Sequence, residues 1–402
     1  MKKFITLLTV LLMMSFAASA QILGETLDLI NKDSIKNTVQ HMENFVSRRC
    51  NQTVGQNKKV AQYLIDRLKT YGIEDAHIDS FLVSIPNHWL AGPVNQYMYN
   101  VLGTLQGTGA TDSTVIIGAH LDAIAFTMPN YILTETAPGA NDNASGCAVM
   151  LEMARIIYEN NLKPYYNIDF MAYDAEEIGL YGSYYDAGKR RAANENIIVM
   201  LNNDVVAYEP DVNWGAYLVG HNNALDLREK ARQAFVNYTA VAPLLSIDGA
   251  DGSSDNHPYF KNGYKAVRFV GKNYSAFPHS ENDVSTILNF EFCRQIARAN
   301  FVLIADYAGI NSLQNNTQNY TLNDINIDVF PVPAKEFIRV HNYNDITIYK
   351  IDIYDFSGRL MKSVQNINPQ QNIIPLNNLS SGLYFMKIYT DKGIITKKFI
   401  KE

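Results

Sequence analysis

Beyond Tyr97 the chain alternates short apolar runs with longer stretches in which apolar residues recur every three or four positions. Runs at 99–105, 114–118, 167–172, 197–201, 216–219 and 266–270 predict buried strands, and stretches at 144–158, 224–237 and 290–308 predict amphipathic helices. Two further helical patterns lie between Ser34 and Gly72; in the second, Val60, Leu64 and Leu68 share one face. Short buried strands alternating with helices predict an α/β sandwich with a mostly parallel sheet.

That regularity stops at Asn311. Residues 311–320 are rich in Asn and Gln, carry no apolar period and read as a linker. Residues 321–402 alternate with period two: Ile346, Ile348, Ile351 and Ile353, then Leu383, Phe385 and Ile388, then Ile394 and Ile395. Turns are expected at Ser357-Gly358, Ser381-Gly382 and Asp391-Lys392-Gly393. This stretch predicts a small all-β sandwich module.

The first 20 residues have a different character. Lys2 and Lys3 precede an apolar run from Phe4 to Ala18 that ends in Ala18-Ser19-Ala20, the pattern of a cleavable secretory signal peptide. The run is too short for a membrane span, and no other segment is apolar enough, so the mature protein is expected to be soluble or attached to a surface. Three cysteines, Cys50, Cys147 and Cys293, are too few for a disulfide scaffold; Cys147 and Cys293 fall on apolar helical faces and read as small buried hydrophobes. Of the net charge of −6, residues 4–320 carry −10 while residues 321–402 carry +2. An acidic main body argues against a nucleic-acid partner, since phosphate binding needs clustered Lys and Arg.

Five short segments at or after strand or helix ends carry side chains that bind hard or borderline metals. They are Gly118-Ala119-His120-Leu121-Asp122, the loop 138–146 with Asn141-Asp142-Asn143, Tyr173-Asp174-Ala175-Glu176-Glu177, Asn202-Asn203-Asp204, and Pro278-His279-Ser280-Glu281-Asn282-Asp283. Each has an ordinary alternative: Asp142 or Asn143 as a helix N-cap, Glu176 and Glu177 as favourable charge at a helix start, His120 as a structural partner of Asp122. Together they place two histidines and three carboxylates at the C-terminal edge of one α/β sheet, where such sheets bind ligands. Two divalent ions with Asp142, Glu177 and Asp204 around them leave a formal charge that one hydroxide cancels, and a neutral cluster can be partly buried. Imidazole and carboxylate donors suit zinc, with manganese and cobalt also compatible.

At these residues the sequence resembles the zinc exopeptidases of metallopeptidase family M28, over roughly residues 34–308. The resemblance implies a mixed, mostly parallel sheet sandwiched between helices, and an aminopeptidase holding two Zn²⁺. It implies that Asp142 bridges the ions, that His120 and Asp204 complete one site, and that Glu177 and His279 complete the other. Glu176 would be the general base acting on a metal-bridging hydroxide, Asp122 would orient His120, and the Asp142–Asn143 peptide bond would be cis. Asn202 and Asn203 have no assigned role. Family members often carry Ser-Asp-His near the pocket, where this chain has Ser253-Ser254-Asp255-Asn256-His257; either Asn256 stands in place of that His or His257 fills it with a shift of one. Phe126, Met128, Tyr131 and Ile132 could line an apolar side-chain pocket or simply anchor their loop.

The C-terminal stretch resembles a different family, the type A sorting domain of Bacteroidetes type IX secretion. The features that carry the resemblance are Val329-Phe330-Pro331-Val332-Pro333-Ala334, Ile353-Tyr354-Asp355-Phe356-Ser357-Gly358 and Leu379-Ser380-Ser381-Gly382-Leu383-Tyr384, before a basic end at Lys397, Lys398 and Lys401. The expected organisation is a signal peptide at 1–20, a zinc peptidase domain at 21–310, a linker at 311–320 and a sorting domain at 321–402. The expected partners are peptide substrates and the type IX secretion machinery. The product would be secreted or held at the cell surface after crossing the periplasm. Two rivals are a glutaminyl cyclase-like enzyme with one zinc and a non-catalytic binding module on the same fold.

Overall fold

Apolar runs too long and too uniform to face water must be buried on both sides, and here they meet in one sheet. In chain order its strands are β1 (His77–His88), β2 (Gly92–Leu105), β3 (Thr114–His120), β6 (Asn167–Tyr173), β7 (Ile197–Asn203), β8 (Gly215–Gly220), β9 (Ala242–Ile247) and β10 (Ala266–Gly271). A separate small pair is formed by β4 (Phe126–Thr127) and β5 (Ile132–Leu133). The order across the large sheet is β1-β2-β6-β3-β7-β10-β8-β9. The four central strands β6, β3, β7 and β10 are parallel, β1 and β2 add antiparallel at one side, and β8 and β9 run parallel to each other but against β10. The computed structural model describes residues 24, 26–50, 56–88, 92–249, 252–310, 327–342, 347–355, 359–365, 373–390 and 393–402. The expected signal peptide and linker, Ile346, and the turns at Ser357-Gly358 and Asp391-Lys392 lie outside those residues, as do the side chains of Ile394 and Ile395.

Helices cover both faces. They are α1 (Lys32–Glu43), α2 (Gln56–Thr70), α3 (Ser145–Glu159), α4 (Tyr181–Ala192), α5 (Leu225–Tyr238), α6 (Asn256–Lys261) and α7 (Phe290–Tyr307). Strand side chains alternate between faces. Val115 and Ile117 of β3, Phe170 of β6, Leu201 of β7 and Phe269 of β10 pack with Val39, Leu64, Met150, Phe235 and Ile304 of α1, α2, α3, α5 and α7. On the opposite face Ile116, Met171, Tyr173 and Met200 pack with Ala187 of α4 and Tyr259 of α6. All seven residues of β3 are buried, as a strand between parallel neighbours under helices must be. The fold is thus the expected mixed sheet between helices. Four elements of the large sheet and its covering helices carried no prediction. In β1, Phe81 and Val83 are buried while Leu82 is exposed, so its apolar residues are split between two faces; β9 leaves Leu245 and Ile247 in solvent. Helix α4 carries two glycines and few apolar residues, and α6 is a short segment following a polar stretch.

The chain separates into two compact units, Met1–Asn316 and Thr317–Glu402. The second is all β. One sheet is β11 (Ile327–Phe330), β12 (Phe337–Asn342) and β15 (Ile373–Pro375), and the other orders β13 (Ile348–Asp355), β14 (Leu360–Gln365), β16 (Gly382–Thr390) and β17 (Gly393–Lys401) as β14-β13-β16-β17. Ile338 and Val340 from the first and Ile351, Ile353, Met386, Ile388 and Phe399 from the second share one core. The alternation in β16 differs by one position from expectation. Tyr384, Met386 and Ile388 point inward, whereas Leu383 and Phe385 are more than a third exposed. Tyr384 stacks on Phe399 with ring centroids 5.6 Å apart, and that aromatic pair fixes the inner face.

Close approach of α3 to β7 depends on Gly146, where a Cβ would meet the Asn203 carbonyl oxygen at 2.2 Å and Asn143 Oδ1 at 2.5 Å. At Gly188 of α4 a Cβ meets nothing within 4 Å. Gly146→Ala should therefore destabilise the first unit by about 1–3 kcal/mol through overpacking, while Gly188→Ala should stabilise it by about 0.5–1 kcal/mol. Denaturation followed by tryptophan fluorescence tests this, because Trp89 and Trp214 both belong to that unit.

Candidate metal centre

Three parallel strands end level with one another, so the residues at and beyond their ends converge. His120 closes β3 and is level with Tyr173 of β6, while Gly118 is level with Asn202 of β7. Glu176 and Glu177 follow β6, Asp204 follows β7, and Asp142 sits in the wide turn Ala140–Ala144 that leads into α3. His279 comes from the loop between β10 and α7. All seven residues singled out from the sequence meet here. His120 Nε2 lies 3.2 Å from Asp142 Oδ1 and 3.4 Å from Asp204 Oδ1; His279 Nε2 lies 3.3 Å from Asp142 Oδ2 and 3.1 Å from Glu177 Oε2. Glu176 Oε2 is 4.0 Å from His120 Nε2. Each oxygen of Asp142 thus faces a different imidazole. These separations match the roughly 3.3 Å edge of a tetrahedron with ligand bonds of about 2.0 Å, and the imidazole–carboxylate donor set suits zinc.

The surrounding chain holds these groups by hydrogen bonds to backbone. Asp122 accepts from the Glu176 and Glu177 amides at 3.1 and 3.2 Å, and His120 Nδ1 lies 3.2 Å from the Asp122 carbonyl oxygen and 3.6 Å from its Oδ1. Asp122 therefore anchors the two glutamates as much as the imidazole. The amides of Asn141 and Asp142 donate to Asp283 at 3.0 and 2.9 Å. Buried Arg48 donates to the carbonyl oxygens of Leu121 at 2.9 Å and Gly139 at 2.8 Å, and to that of Pro138, tying the loops after β3 and before α3 together. Gly139 has φ 53, and a Cβ there would sit 2.5 Å from the Ala123 Cβ. The Asp142–Asn143 bond is cis. Three residues beside the site, Ala175, Val205 and His279, have φ of 60, 59 and 47, a region costly for residues with a Cβ and for Val above all.

Asn202 and Asn203, without a role in the sequence, are hydrogen-bonded supports: Asn202 donates to Ser254 Oγ at 2.7 Å and Asn203 exchanges side-chain bonds with Asn300. Asp255 is buried within the field of His120 and Asp204, but His257 turns away toward His221, 3.2 Å distant. Two further residues at the site gave no sequence signal. Tyr274, three residues past β10, has its phenol in the field of Asp142, Asp204 and Glu177, and Arg268 Nη1 is 3.4 Å from Asp204 Oδ2. Each is a single polar residue in a strand or loop, and only the fold shows what it faces. Phe126 packs its ring 5.6 Å from that of His279, while Met128 and Ile132 are largely exposed.

Carboxylates outnumber imidazoles, and the charges show it. Burial opposes charge on His120, yet Glu176 and the Asp122, Asp142 and Asp204 carboxylates raise its pKa well above the ordinary imidazole value. Glu177 pushes His279 up to about 12 despite its burial. Glu177 itself is raised to about 7 by burial and by Asp142, and Glu176 is raised well above its usual range by burial. A carboxyl whose folded pKa exceeds its unfolded value near 4.5 favours folding below that value and loses this contribution as pH rises through the folded pKa. Chelator-treated protein should therefore lose stability between about pH 4.5 and 7. Added zinc should restore it increasingly across the same interval, since ligands must shed protons to bind metal. Thermal melts with and without zinc from pH 4.5 to 8 check this; stabilisation by zinc that is flat with pH would contradict it.

The fold has known counterparts. Residues 100–304 match the family model of peptidase family M28, and residues 328–402 match that of the secretion system C-terminal sorting domain. The chain is similar to a probable zinc metalloprotease of Leptosphaeria maculans, 28% identical over 57% of this chain and 61% of that protein. It is also similar to a probable leucine aminopeptidase of Arthroderma otae, 26% identical over 70% and 74%. The chain thus spans less than two thirds of the Leptosphaeria protein. Among solved structures, the LapA aminopeptidase of Legionella pneumophila shares the fold with a TM-score of 0.59 at 22% identity, covering 72% of this chain and 75% of that one. The chain belongs to peptidase family M28, the zinc-dependent peptidases, and carries a C-terminal sorting domain of the type IX secretion kind.

Proposed function

We propose that this chain is a secreted aminopeptidase that uses two zinc ions held in a shared site. The observation that carries this reading is the Asp142 carboxylate, whose two oxygens face two imidazoles, each with a second carboxylate at its side. His120 and Asp204 would hold one zinc, Glu177 and His279 the other, with Asp142 shared. When bound, zinc supplies Lewis acidity at the scissile carbonyl and acidifies the attacking water.

Glu176 is the residue left over for proton transfer. It lies within the cluster, 4.0 Å from His120 Nε2 where the proposed ligands Asp142 and Asp204 stand at 3.2 and 3.4 Å, and burial holds its pKa well above the usual carboxylate value, which strengthens it as a base. Glu176 would take the proton of the attacking water and return it to the departing amine. Tyr274, whose phenol lies in the field of the same carboxylates, would donate its hydrogen to the oxygen that becomes negative in the tetrahedral intermediate. The excess of carboxylates around the two imidazoles favours a substrate with a charged α-amine, and Phe126 against His279 supports an apolar side chain at the amino terminus. The names of the curated relatives, several of them leucine aminopeptidases, support the same choice.

Glutamine substitutions separate the roles. Glu176→Gln should keep zinc but lose about 10²- to 10⁴-fold in kcat, whereas Glu177→Gln should lose zinc; equal zinc loss in both would contradict the assignment. Asp142→Ala should release two zinc equivalents relative to the wild type, and release of only one would point to a single-zinc enzyme of the glutaminyl cyclase kind.

The sorting domain would direct the enzyme across the outer membrane once the signal peptide has delivered it to the periplasm. No proposed ligand lies beyond His279, so a chain lacking residues 311–402 should keep its zinc and kcat/KM. In the native host it should collect in the periplasm; normal export of the shortened chain would overturn the sorting role.

A further inference from the structure

A second group of ligand-type side chains converges away from the peptidase centre. His221 follows β8, Asp248 follows β9 and His257 lies in the first turn of α6. Because β8 runs against β10, its C-terminal end points away from the edge that holds Asp142. Gly220 is level with Val267, and Val267 with Leu201, three residues before Asp204 and two strands away. His221 Nε2 lies 3.2 Å from His257 Nδ1 and 3.6 Å from Asp248 Oδ2, and Asn256 Nδ2 donates to the same Asp248 oxygen at 3.1 Å. Both imidazoles are at least 95% buried, and Phe260 stacks on His221 with centroids 3.7 Å apart, which fixes the ring.

His221 Nε2 faces two groups at once, His257 Nδ1 at 3.2 Å and Asp248 Oδ2 at 3.6 Å, and with one proton at most it can serve only one of them. If His257 donates instead, a lone pair of His221 is turned toward a carboxylate. A cation at the centre uses all three lone pairs at once. The two separations fit the roughly 3.3 Å edge expected around a tetrahedral zinc with bonds of about 2.0 Å, and two imidazoles with one carboxylate form a donor set suited to zinc and its d-block neighbours.

We propose that His221, Asp248 and His257 form a third divalent-cation site, for zinc or a similar d-block ion, separate from the peptidase centre. Its place in the fold gives it a purpose. Two of its ligands bracket the segment that carries Ser253, Ser254 and Asp255. The Ser253 carbonyl accepts from Arg268 Nη1 at 3.3 Å, Ser254 Oγ accepts from Asn202, and Asp255 lies in the field of Asp204. A cation there pins this segment at its outer end while Arg268 and Asn202 hold its inner end beside the zinc ligands.

The test counts zinc in the full chain after chelation and refilling with Zn²⁺ alone, by elemental analysis. His257→Gln and Asp248→Asn should each bind one equivalent fewer than the wild type, and Asp142→Ala should retain one equivalent. Wild-type zinc content in both of the first two variants, or a zinc-free Asp142→Ala that remains folded, would overturn the site. Asp248→Asn preserves the shape of the side chain at a strand end and keeps the count available even where the buried histidine variant does not fold. The difference between wild type and these variants decides the third site whether the peptidase centre holds one ion or two, so the two readings fail separately.

Discussion

Like charges have to be held together at the edge of this sheet. Asp122, Asp142, Glu176, Glu177, Asp204 and Asp255 crowd around two imidazoles, and burial strengthens their mutual repulsion. A cluster of this kind is stable only if the frame around it cannot relax, or if cations neutralise it. The first unit supplies such a frame. Strands β3, β6 and β7 are fixed in register by their ladders, Arg48 and Asp283 bind the backbone of the two loops between them, and Asn143, Asn202 and Asn203 fill the gaps with hydrogen bonds.

The antiparallel turn of the sheet at β10 has chemical consequences. Strands β8 and β9 send their C-terminal ends to the opposite edge, so that histidines and an aspartate collect there as well, out of reach of the peptidase centre. Asp255 lies in the field of His120 and Asp204, while His257, two residues on, faces His221, so one short stretch of chain touches both groups.

Backbone strain marks the same places. Ala175 and Val205 adopt left-handed conformations immediately beside Glu176 and Asp204, and His279, the second imidazole, adopts one itself. Strain of about 1–3 kcal/mol per residue persists only where surrounding structure over-determines it, and here it aims carboxylates and an imidazole inward from chain ends that would otherwise diverge. The second unit shows none of these features among the described residues; its core is aliphatic and aromatic, as suits a module that acts by being recognised.

Much of this was legible from residues in order. The six buried runs marked β2, β3, β6, β7, β8 and β10, most cleanly in the central parallel strands, which are covered on both faces and leave no polar position to confuse the pattern. The metal-type residues were legible because they fall at the ends of those runs, and a strand end fixes where its next residue goes. Local pattern failed where it carries no such information: β1 and β9 divide their apolar residues between faces, α4 is held by packing rather than propensity, and β16 turns Tyr384 inward instead of Leu383 because Phe399 lies opposite. Tyr274, Arg268, Arg48 and Asp283 act through partners more than five residues away in the chain, and His221, Asp248 and His257 come together only because β8 and β9 reverse direction. By itself the sequence determined which residues could bind metal and on which strands they sit; which of them share an ion was decided by tertiary structure, since distance between side chains from separate strands is set by sheet order and register.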